Sequence, residues 1–219
     1  MRNDKYIPAL SFRWLTPLYD PLLRWAMQEE QFKRDLVRQA ALQPGHHVLD
    51  LGCGTGTLTL LLKQTQPAAH VTGLDGDSDV LRIAHRKARM AGVAVAWVQG
   101  LAYALPYPAD VFDRVVTSLV LHHLTTESKQ RALAEVARVL RPGGELHVAD
   151  FGPPRSAYAR TLAPLLRHFE EVADNLAGGL PALFSGAGFH QIEETARLVT
   201  VVGDLAVYRM AKQKPTANM

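Results

Sequence analysis

Glycines that alternate at the end of an apolar segment are the first feature of this sequence whose spacing could do chemistry. Gly52, Gly54 and Gly56 follow residues 48–51, which combine three apolar side chains with one acid. Glycine lets the backbone turn tightly and approach a ligand closely, and a helix that begins at such a turn offers unpaired N–H groups. The order of apolar segment, glycine loop and helical pattern therefore predicts a loop that binds a nucleotide-like ligand.

Two aspartates accompany the glycine loop and narrow the choice of ligand. Asp50 comes just before the first glycine, and Asp75 ends the next apolar segment, about 20 residues after the loop. An acid in that second place can accept hydrogen bonds from both hydroxyls of an unphosphorylated ribose. A dinucleotide fingerprint needs glycine at position 57, which is Thr57 here, and Asp50 would repel a pyrophosphate. The loop therefore favours a nucleoside with cationic groups over a dinucleotide.

Strand-like and helix-like segments alternate through the middle of the chain and must position these side chains. The predicted strands are residues 46–51, 70–75, 93–98, 113–119 and 145–151, with helices at 57–64, 78–91 and 127–140 and a type II turn at 141–144. This alternation predicts an α/β fold with a mostly parallel sheet and helices on both faces. Residues 189–202 and 204–212 predict a C-terminal β-hairpin joined at Gly203, which brings the sheet to seven strands.

Ligands of open α/β sheets bind beyond the carboxyl ends of the strands, close to the point where the strand order reverses. Besides the glycine loop and Asp75, the residues predicted at these ends are Gly76, Leu101, Ala102 and Ser118. Acids, glycines and a small hydroxyl are therefore expected to converge on one edge of the sheet.

The remaining segments flank a core at residues 46–152. Residues 1–45 are rich in aromatic residues and continue into a long amphipathic pattern, which predicts a helical lid. Residues 153–188, called the cap segment below, are expected to be helical, to bend at Gly178 and Gly179 and to cover the substrate. Residues 189–212 complete the sheet, and residues 213–219 are expected to be a disordered tail.

Composition places the chain among ordinary globular proteins. It is 47% hydrophobic and 21% charged, and no apolar run is long enough to cross a bilayer, so neither export nor a membrane anchor is expected. A single cysteine is compatible with a reducing, cytoplasmic setting. The formal net charge of +3 does not by itself indicate a nucleic-acid partner.

The loop and several later segments together resemble a known family. Residues 48–56, with the sequence Val-Leu-Asp-Leu-Gly-Cys-Gly-Thr-Gly, resemble motif I of class I S-adenosylmethionine-dependent methyltransferases, and the similarity continues through residues 73–75, 105–106, 112–113 and 135–144. The likeness is strongest to the type 11 branch, which includes ubiquinone and menaquinone biosynthesis methyltransferases. It implies a Rossmann-like class I methyltransferase fold, S-adenosylmethionine as cofactor with S-adenosylhomocysteine as product, and a small, apolar or quinone-like acceptor.

The resemblance also implies a role for each residue at the predicted site. The loop residues would hold the methionine part of the cofactor, with Asp50 near its amino group and Ser118 in contact with the same part. Asp75 would bind the ribose. The cofactor contacts implied altogether are Tyr19, Asp50, Gly52, Cys53, Gly54, Thr55, Gly56, Asp75, Gly76, Leu101, Ala102, Ser118 and His123.

One position departs from the family pattern. The family usually has an acid directly after Gly100, where it accepts a hydrogen bond from the adenine amino group, and this chain has Leu101. Leucine packs on a purine but cannot accept that bond, which costs on the order of 1 kcal/mol. The departure keeps open a cofactor-binding partner or sensor that does not catalyse transfer.

His122 and His123 follow the fourth predicted strand, next to the expected position of the methyl group. A histidine there can take a proton from the nucleophile near neutral pH, which makes both residues candidate catalytic residues. In the alternative interpretation, one histidine caps the following helix and the other lines the pocket passively. No metal site is expected, because Cys53 has no second cysteine to pair with.

The alternatives to a small-molecule methyltransferase are two further enzyme classes, and the N-terminal segment has a membrane surface as an alternative partner. A nucleic-acid methyltransferase is disfavoured because residues 118–121 lack the Asp/Asn-Pro-Pro-aromatic motif of base N-methylation, so no nucleic-acid partner is expected. A nicotinamide oxidoreductase is disfavoured by Thr57. Peripheral contact with a membrane is the alternative to a simple lid for the aromatic and basic N-terminal residues, which are Trp14, Tyr19, Trp25, Lys33, Arg34 and Arg38.

Overall fold

A seven-stranded sheet runs through the computed structural model, which describes residues 29–166, 171–200 and 203–213. The strands are β1 His47–Leu51, β2 His70–Asp75, β3 Ala96–Gln99, β4 Phe112–Ser118, β5 Leu140–Phe151, β6 Phe189–Thr200 and β7 Gly203–Lys212. The helices are α1 Glu29–Ala40, α2 Thr57–Thr65, α3 Ser78–Met90, α4 Thr126–Val139, α5 Ala157–Leu166, α6 Ala173–Leu176 and α7 Leu180–Gly186, with a short 3₁₀ turn at Leu121–His123.

The strand order β3-β2-β1-β4-β5-β7-β6 decides where a ligand can bind. Strands β1 to β5 are parallel, and β7 pairs antiparallel with both β5 and β6. The order reverses between β1 and β4, so a crevice is expected where these two strands end. The prediction of a mostly parallel seven-stranded sheet with a C-terminal hairpin is confirmed.

Side chains on the two faces of the sheet belong to separate apolar clusters. Val48 packs in one cluster with Phe32 of α1, and Leu49 packs in the other with Leu133 of α4. Successive residues of a strand point to opposite faces, so one short strand serves both clusters. Helices therefore cover the sheet on both sides, as the alternation predicted.

Strand β3 begins later than the sequence predicted. The N–H of Val93 donates to the carbonyl of Ala88 at 3.0 Å and so closes the end of α3. Pairing with β2 starts only at Ala96, which lies opposite Thr72. The apolar residues before Ala96 therefore belong to the connection between helix and strand.

The turn predicted at residues 141–144 lies inside a strand. Leu140 pairs with Phe112 and Glu145 pairs with Arg114, so the intervening residues form an irregularity in β5. Gly143 has φ 78°, the conformation that the third position of a type II turn requires. The local turn chemistry was predicted correctly, and long-range pairing extends the strand around it.

The cap segment is fastened to the sheet at its start by one buried carboxylate. Asp204 on β7 accepts hydrogen bonds from the N–H groups of Arg155 and Ser156 at 2.7 and 3.0 Å, and from the Ser156 hydroxyl at 2.9 Å. A second attachment joins its middle to α4. The ammonium of the fully buried Lys129 donates to the Glu171 carbonyl at 2.7 Å and to Asp174 at 3.3 Å. These contacts hold helices α5 and α6 against the carboxyl ends of the strands.

Parts of the predicted lid and tail lie outside the described residues. These parts are residues 1–28, which include Tyr19, and residues 214–219. Within the ranges that the structure does describe, no helix has the length and apolar character needed to cross a bilayer.

Candidate functional site

The glycine loop joins β1 to α2 and is bonded to the end of β2. Gly52, Gly54 and Gly56 have φ values of 69°, 52° and 77°, which lie in the left-handed region that glycine adopts most easily. The N–H groups of Gly52 and Cys53 both donate to the Leu74 carbonyl, at 2.8 and 2.9 Å. The loop is therefore held in one tight conformation by backbone bonds.

The surroundings of the three glycines differ and show where a ligand can approach. A Cβ at position 52 would lie 2.3 Å from Val120, and one at position 56 would lie 2.6 Å from the indole of Trp97. A Cβ at position 54 would have no atom within 4 Å. Gly52 and Gly56 are thus packed against protein, and Gly54 borders open space.

Asp75 lies beside that open space and is already tied to the loop. Its Oδ2 accepts the N–H of Gly54 at 2.8 Å, and its Oδ1 accepts the N–H of Asp77 at 2.9 Å. Burial raises the pKa of Asp75 above its usual range, although these backbone N–H groups oppose the increase. An ionised carboxylate has about four acceptor positions, so each oxygen can still accept a hydrogen bond from a ligand hydroxyl.

Asp50 lies underneath the loop and is almost completely buried, with 1% of its surface exposed. The Thr59 hydroxyl donates to its Oδ2 at 2.5 Å. Burial raises the pKa of Asp50 to about 6, against the effects of the Thr59 hydrogen bond and the charge of Lys33. At pH 7 the side chain is therefore ionised, although its burial disfavours the negative charge.

The buried, ionised carboxylate of Asp50 leads to a testable prediction about stability. The pKa of Asp50 is 3.8 in the unfolded chain and about 6 in the fold. The free energy of unfolding therefore decreases as the pH rises from about 4 to above 6. We expect Asp50→Asn to raise the free energy of unfolding at pH 7 by on the order of 2 kcal/mol and to have little effect at pH 4. Denaturant titrations of both proteins at pH 4, 5, 6 and 7 measure the difference.

The same substitution should weaken cofactor binding if Asp50 lies near the amino group of the ligand. Thr59→Val is the matched control, because it removes the hydrogen bond to Asp50 and leaves the charge in place. A stability difference between Asp50→Asn and the wild-type protein that stays constant from pH 4 to pH 7 would contradict the prediction.

Helix α3 and strand β3 support the loop from below. Lys87 of α3 donates to the hydroxyls of Thr55 and Thr57 at 2.8 and 3.4 Å. The indole of Trp97 lies against both Gly56 and Gly73, where a Cβ would come within 2.6 and 2.5 Å of it. Sequence reasoning missed Trp97, whose part depends on a contact between distant segments. The glycines that face it are the only signal that the sequence carries.

The predicted adenine side of the site is a short loop that α4 holds in place. Leu101 is 36% exposed, and its carbonyl accepts the N–H of Ala104 at 3.1 Å. Glu135 accepts the N–H of Leu105 at 2.8 Å, and Arg138 donates to the carbonyls of Leu105 and Tyr107 at 3.2 and 2.8 Å.

The neighbouring residues of this side are already in place as well. Ala102 packs against the core, and the Gly76 carbonyl accepts the side-chain amide of Gln99 at 3.2 Å. The protein's own hydrogen bonds therefore hold the backbone on this side of the site in place.

Ser118 ends β4, and the 3₁₀ turn after it contains the two candidate catalytic histidines in different environments. His122 is 4% exposed and its Nδ1 lies 2.8 Å from Oδ1 of Asp150. His123 is partly buried, and its ring centroid lies 4.0 Å from that of His122. Burial, followed by the charge of His122, lowers the pKa of His123 to about 4. His123 is therefore a neutral imidazole at pH 7, whereas His122 is part of a buried pair.

The structure brings most of the predicted site residues to one edge of the sheet. The hydrogen bond between Gly54 and Asp75 and the contact between Gly52 and Val120 join the ends of β1, β2 and β4. Tyr19 lies outside the described residues. Asp150 and Asn175 were not predicted, and Asp150 joins Asn175 to the turn that contains His122.

The arrangement fits a ligand that combines hydroxyl and cationic groups. The partly buried carboxylate of Asp75 accepts the N–H of Gly54, which borders open space, and the buried carboxylate of Asp50 comes just before the same loop. Among the described residues, no group of three or more histidine, cysteine or acidic side chains could hold a metal ion.

Comparison with known proteins agrees with this geometry. A family profile described as a methyltransferase domain matches residues 48–144. A demethylmenaquinone methyltransferase of Thermus thermophilus is 38% identical over 145 residues, which are 65% of each chain. An uncharacterized methyltransferase of Synechocystis is 37% identical over 164 residues, which are 74% of each chain. The chain therefore spans just under two thirds of the length of the Thermus protein.

A solved structure shows the same fold. The magnesium protoporphyrin IX methyltransferase of Synechocystis, crystallised with S-adenosylhomocysteine, superposes with a TM-score of 0.67 at 20% identity and covers 84% of each chain. At this identity the likeness concerns the fold, and the predicted Rossmann-like methyltransferase architecture is confirmed.

Proposed function

Since the chain belongs to the family of S-adenosylmethionine-dependent methyltransferases, we propose that it transfers the methyl group of this cofactor to a small, quinol-like acceptor. The observation that carries the proposal is the edge where Gly54, Asp75 and the His122–His123 turn come together. The name of the Thermus relative, a demethylmenaquinone methyltransferase, supports a quinone-derived acceptor.

The cofactor residues proposed here are those that line the glycine loop and its neighbours. Asp75 binds the ribose hydroxyls, and the open space at Gly54 receives the methionine part of the cofactor. The backbone of Cys53 and Thr55 and the carboxylate of Asp50 contribute on the same side. Gly76, Leu101 and Ala102 contact the adenine. Ser118 and His123 lie toward the sulfonium, and Tyr19, outside the described residues, is the remaining cofactor contact of this proposal.

The acceptor side of the site has to position a carbon nucleophile and handle one proton. S-adenosylmethionine supplies an electrophilic methyl group that is transferred by in-line displacement. A reduced quinol has an electron-rich ring carbon beside a hydroxyl, whereas an oxidised quinone does not. When the new C–C bond forms and the C–S bond breaks, the ring carbon loses its proton. His123, as a neutral imidazole, can accept a proton there.

A transfer assay with two redox forms of one compound tests the proposal. The probe is a short-chain 2-prenyl-1,4-naphthoquinol, and the control is the same compound kept oxidised. We expect a methylated naphthoquinol and S-adenosylhomocysteine to accumulate only with the reduced form, as measured by mass spectrometry. Cofactor binding without transfer to any quinol would overturn the proposal and support a cofactor-binding partner that does not catalyse transfer.

The contribution of His123 to the rate can be measured with a single substitution. A well-placed base contributes about 10²–10⁴-fold to a rate, and a base with a pKa of about 4 belongs at the lower end of that range at pH 7. We expect His123→Ala to lower turnover of the naphthoquinol roughly 100-fold at saturating S-adenosylmethionine. Turnover equal to that of the wild-type protein would assign His123 to the passive lining of the pocket.

Peripheral membrane contact would suit an apolar acceptor and remains a separate proposal. The aromatic residues that motivated it, which are Trp14, Tyr19 and Trp25, lie outside the described residues. Lys33, in contrast, is only 9% exposed and forms a salt bridge with Glu29, so its side chain does not face a membrane. Any basic contribution from α1 would come from Arg34 and Arg38, which are exposed.

A further inference from the structure

Asp150, the penultimate residue of β5, is a buried carboxylate on which hydrogen bonds from three parts of the chain meet. Its Oδ2 accepts the N–H groups of Val120 and Leu121 at 3.1 and 2.8 Å. Its Oδ1 lies 2.8 Å from Nδ1 of His122 and accepts the side-chain amide of Asn175 at 3.1 Å. The N–H of Phe151 completes the set at 2.8 Å. Only 1% of the surface of Asp150 is exposed, so the carboxylate depends on these donors for its solvation.

The first group of donors belongs to the turn that contains His122 and His123. Leu119 has φ 58°, an unfavourable value for a residue with a branched side chain, and the next two N–H groups point at Asp150. Such strain persists only where the surrounding structure holds it. The side chain of Val120 also packs over Gly52 of the glycine loop. Asp150 thus fixes a strained turn that touches both halves of the site.

The second donor belongs to the cap segment. Asn175 lies in α6, is fully buried and donates to Asp150 through its Nδ2. Its Oδ1 is also buried and has no hydrogen-bond partner among the described residues. A buried acceptor without a partner costs about 1–3 kcal/mol. An apolar side chain would avoid that cost, so the contact with Asp150 is the polar interaction that this asparagine provides.

From these contacts we propose that Asp150 is a positioning residue which, through Asn175, couples the cap segment to the His122–His123 turn. The side-chain amide of Asn175 is the link between α6 and the turn, because one carboxylate accepts hydrogen bonds from both. Through this carboxylate the cap segment helps to hold the His122–His123 turn in position. The catalytic consequence rests on the proposed methyl transfer, whereas the structural coupling does not.

The other hydrogen bonds described for the cap segment are separate from the contact between Asn175 and Asp150. Lys129 and Thr126 of α4 bind Asp174 and the Glu171 carbonyl, and Asp204 holds Arg155 and Ser156. None of these bonds includes Asp150. A variant that loosens α6 at Asp174 therefore differs from one that removes the amide of Asn175, although the two residues are adjacent.

The test compares Asn175→Ala with Asp174→Ala as its matched control. Amide hydrogen exchange at Val120 and Leu121 reports on the turn, and it needs neither cofactor nor acceptor. Loss of one hydrogen bond to a charged group corresponds to roughly tenfold faster exchange. We expect that change in Asn175→Ala and unchanged exchange at these two amides in Asp174→Ala.

A kinetic measurement separates positioning from simple loss of structure. In the naphthoquinol assay, Asn175→Ala should lower kcat about tenfold and leave the dissociation constant of S-adenosylhomocysteine unchanged. Asn175→Leu should preserve the melting temperature, because removal of the unpaired oxygen offsets loss of the bond to Asp150, and should still show the faster exchange. Asp150→Asn should show the largest acceleration, and the milder Asn175 variants keep the test valid if that protein does not fold.

The outcomes distinguish the coupling from the proposed function. Unchanged exchange at Val120 and Leu121 in Asn175→Ala would overturn the coupling, whatever the assay shows. Equal acceleration in Asp174→Ala would also overturn it, because any loosening of α6 would then suffice. Faster exchange in a protein that methylates no quinol would uphold the coupling and remove the proposed function.

Discussion

Replacing Asp75 with alanine is expected to abolish measurable binding of S-adenosylmethionine. The carboxylate is partly buried beside the open space at Gly54, and each of its oxygens can accept one ribose hydroxyl in addition to its present backbone donor. Hydrogen bonds to a charged group contribute about 1.5–3 kcal/mol each, so two of them correspond to a loss of more than about 100-fold in affinity. Isothermal titration calorimetry with S-adenosylmethionine and S-adenosylhomocysteine measures this loss directly.

The neighbouring acid provides the control for this experiment. Asp77 caps α3 with its side chain by accepting the N–H of Asp79 at 2.7 Å, whereas the side chain of Asp75 is bonded to the glycine loop. We expect Asp77→Ala to lower the free energy of unfolding by about 1 kcal/mol and to keep most of the cofactor affinity. Near wild-type affinity in Asp75→Ala would refute the ribose assignment. A parallel denaturation curve shows whether the loss of the bond to Gly54 has unfolded the loop.

Alanine at the second and third glycines of the loop should affect different properties: mainly ligand binding at position 54 and mainly stability at position 56. Both positions have positive φ, so alanine costs about 1–2 kcal/mol of backbone strain at each. At position 56 the new methyl group would also lie 2.6 Å from Trp97 and 2.9 Å from Ala84, which adds about 1–3 kcal/mol of overpacking. We therefore expect Gly56→Ala to lower the free energy of unfolding by about 3 kcal/mol or more.

At position 54 the new methyl group meets no atom of the protein and enters the space proposed for the cofactor. Gly54→Ala should therefore lose only the strain energy and bind S-adenosylhomocysteine at least about tenfold more weakly. Denaturant titration and calorimetry on both variants measure the two effects. Trp97→Leu combined with Gly56→Ala should recover part of the lost stability. Equal destabilisation at both positions would show that strain alone, and no contact with Trp97, determines the requirement for glycine.

Features that depend on local sequence were predicted well. The glycine spacing, Asp75 at the end of β2 and the hairpin at residues 189–212 follow from backbone preferences and apolar periodicity, which act over a few residues. The strand at residues 93–98 was misplaced because Val93 has the apolar character of a strand residue, yet its N–H closes α3. Local pattern decides that an element exists, and long-range pairing decides where it begins.

The two histidines show what local pattern cannot supply. His122 and His123 are adjacent and chemically identical, yet one is bonded to Asp150 and the other has its pKa lowered toward 4 by burial. The difference comes from burial, which lowers the pKa of His123, and from Asp150, which is distant in sequence and contacts only His122 of the two rings at hydrogen-bond distance. Asn175 was missed for the same reason, because its partner is chosen by the way the cap segment folds back over the sheet.

Cys53 lies in the glycine loop, and its thiol resists oxidation and alkylation. Burial and the charges of Asp50 and Asp75 raise the pKa of its thiol, so the thiolate form is suppressed. Oxidants and alkylating agents attack the thiolate. The chain has no second cysteine with which this thiol could form an internal disulfide. While the loop is folded, its geometry is therefore protected from the redox state of the surroundings.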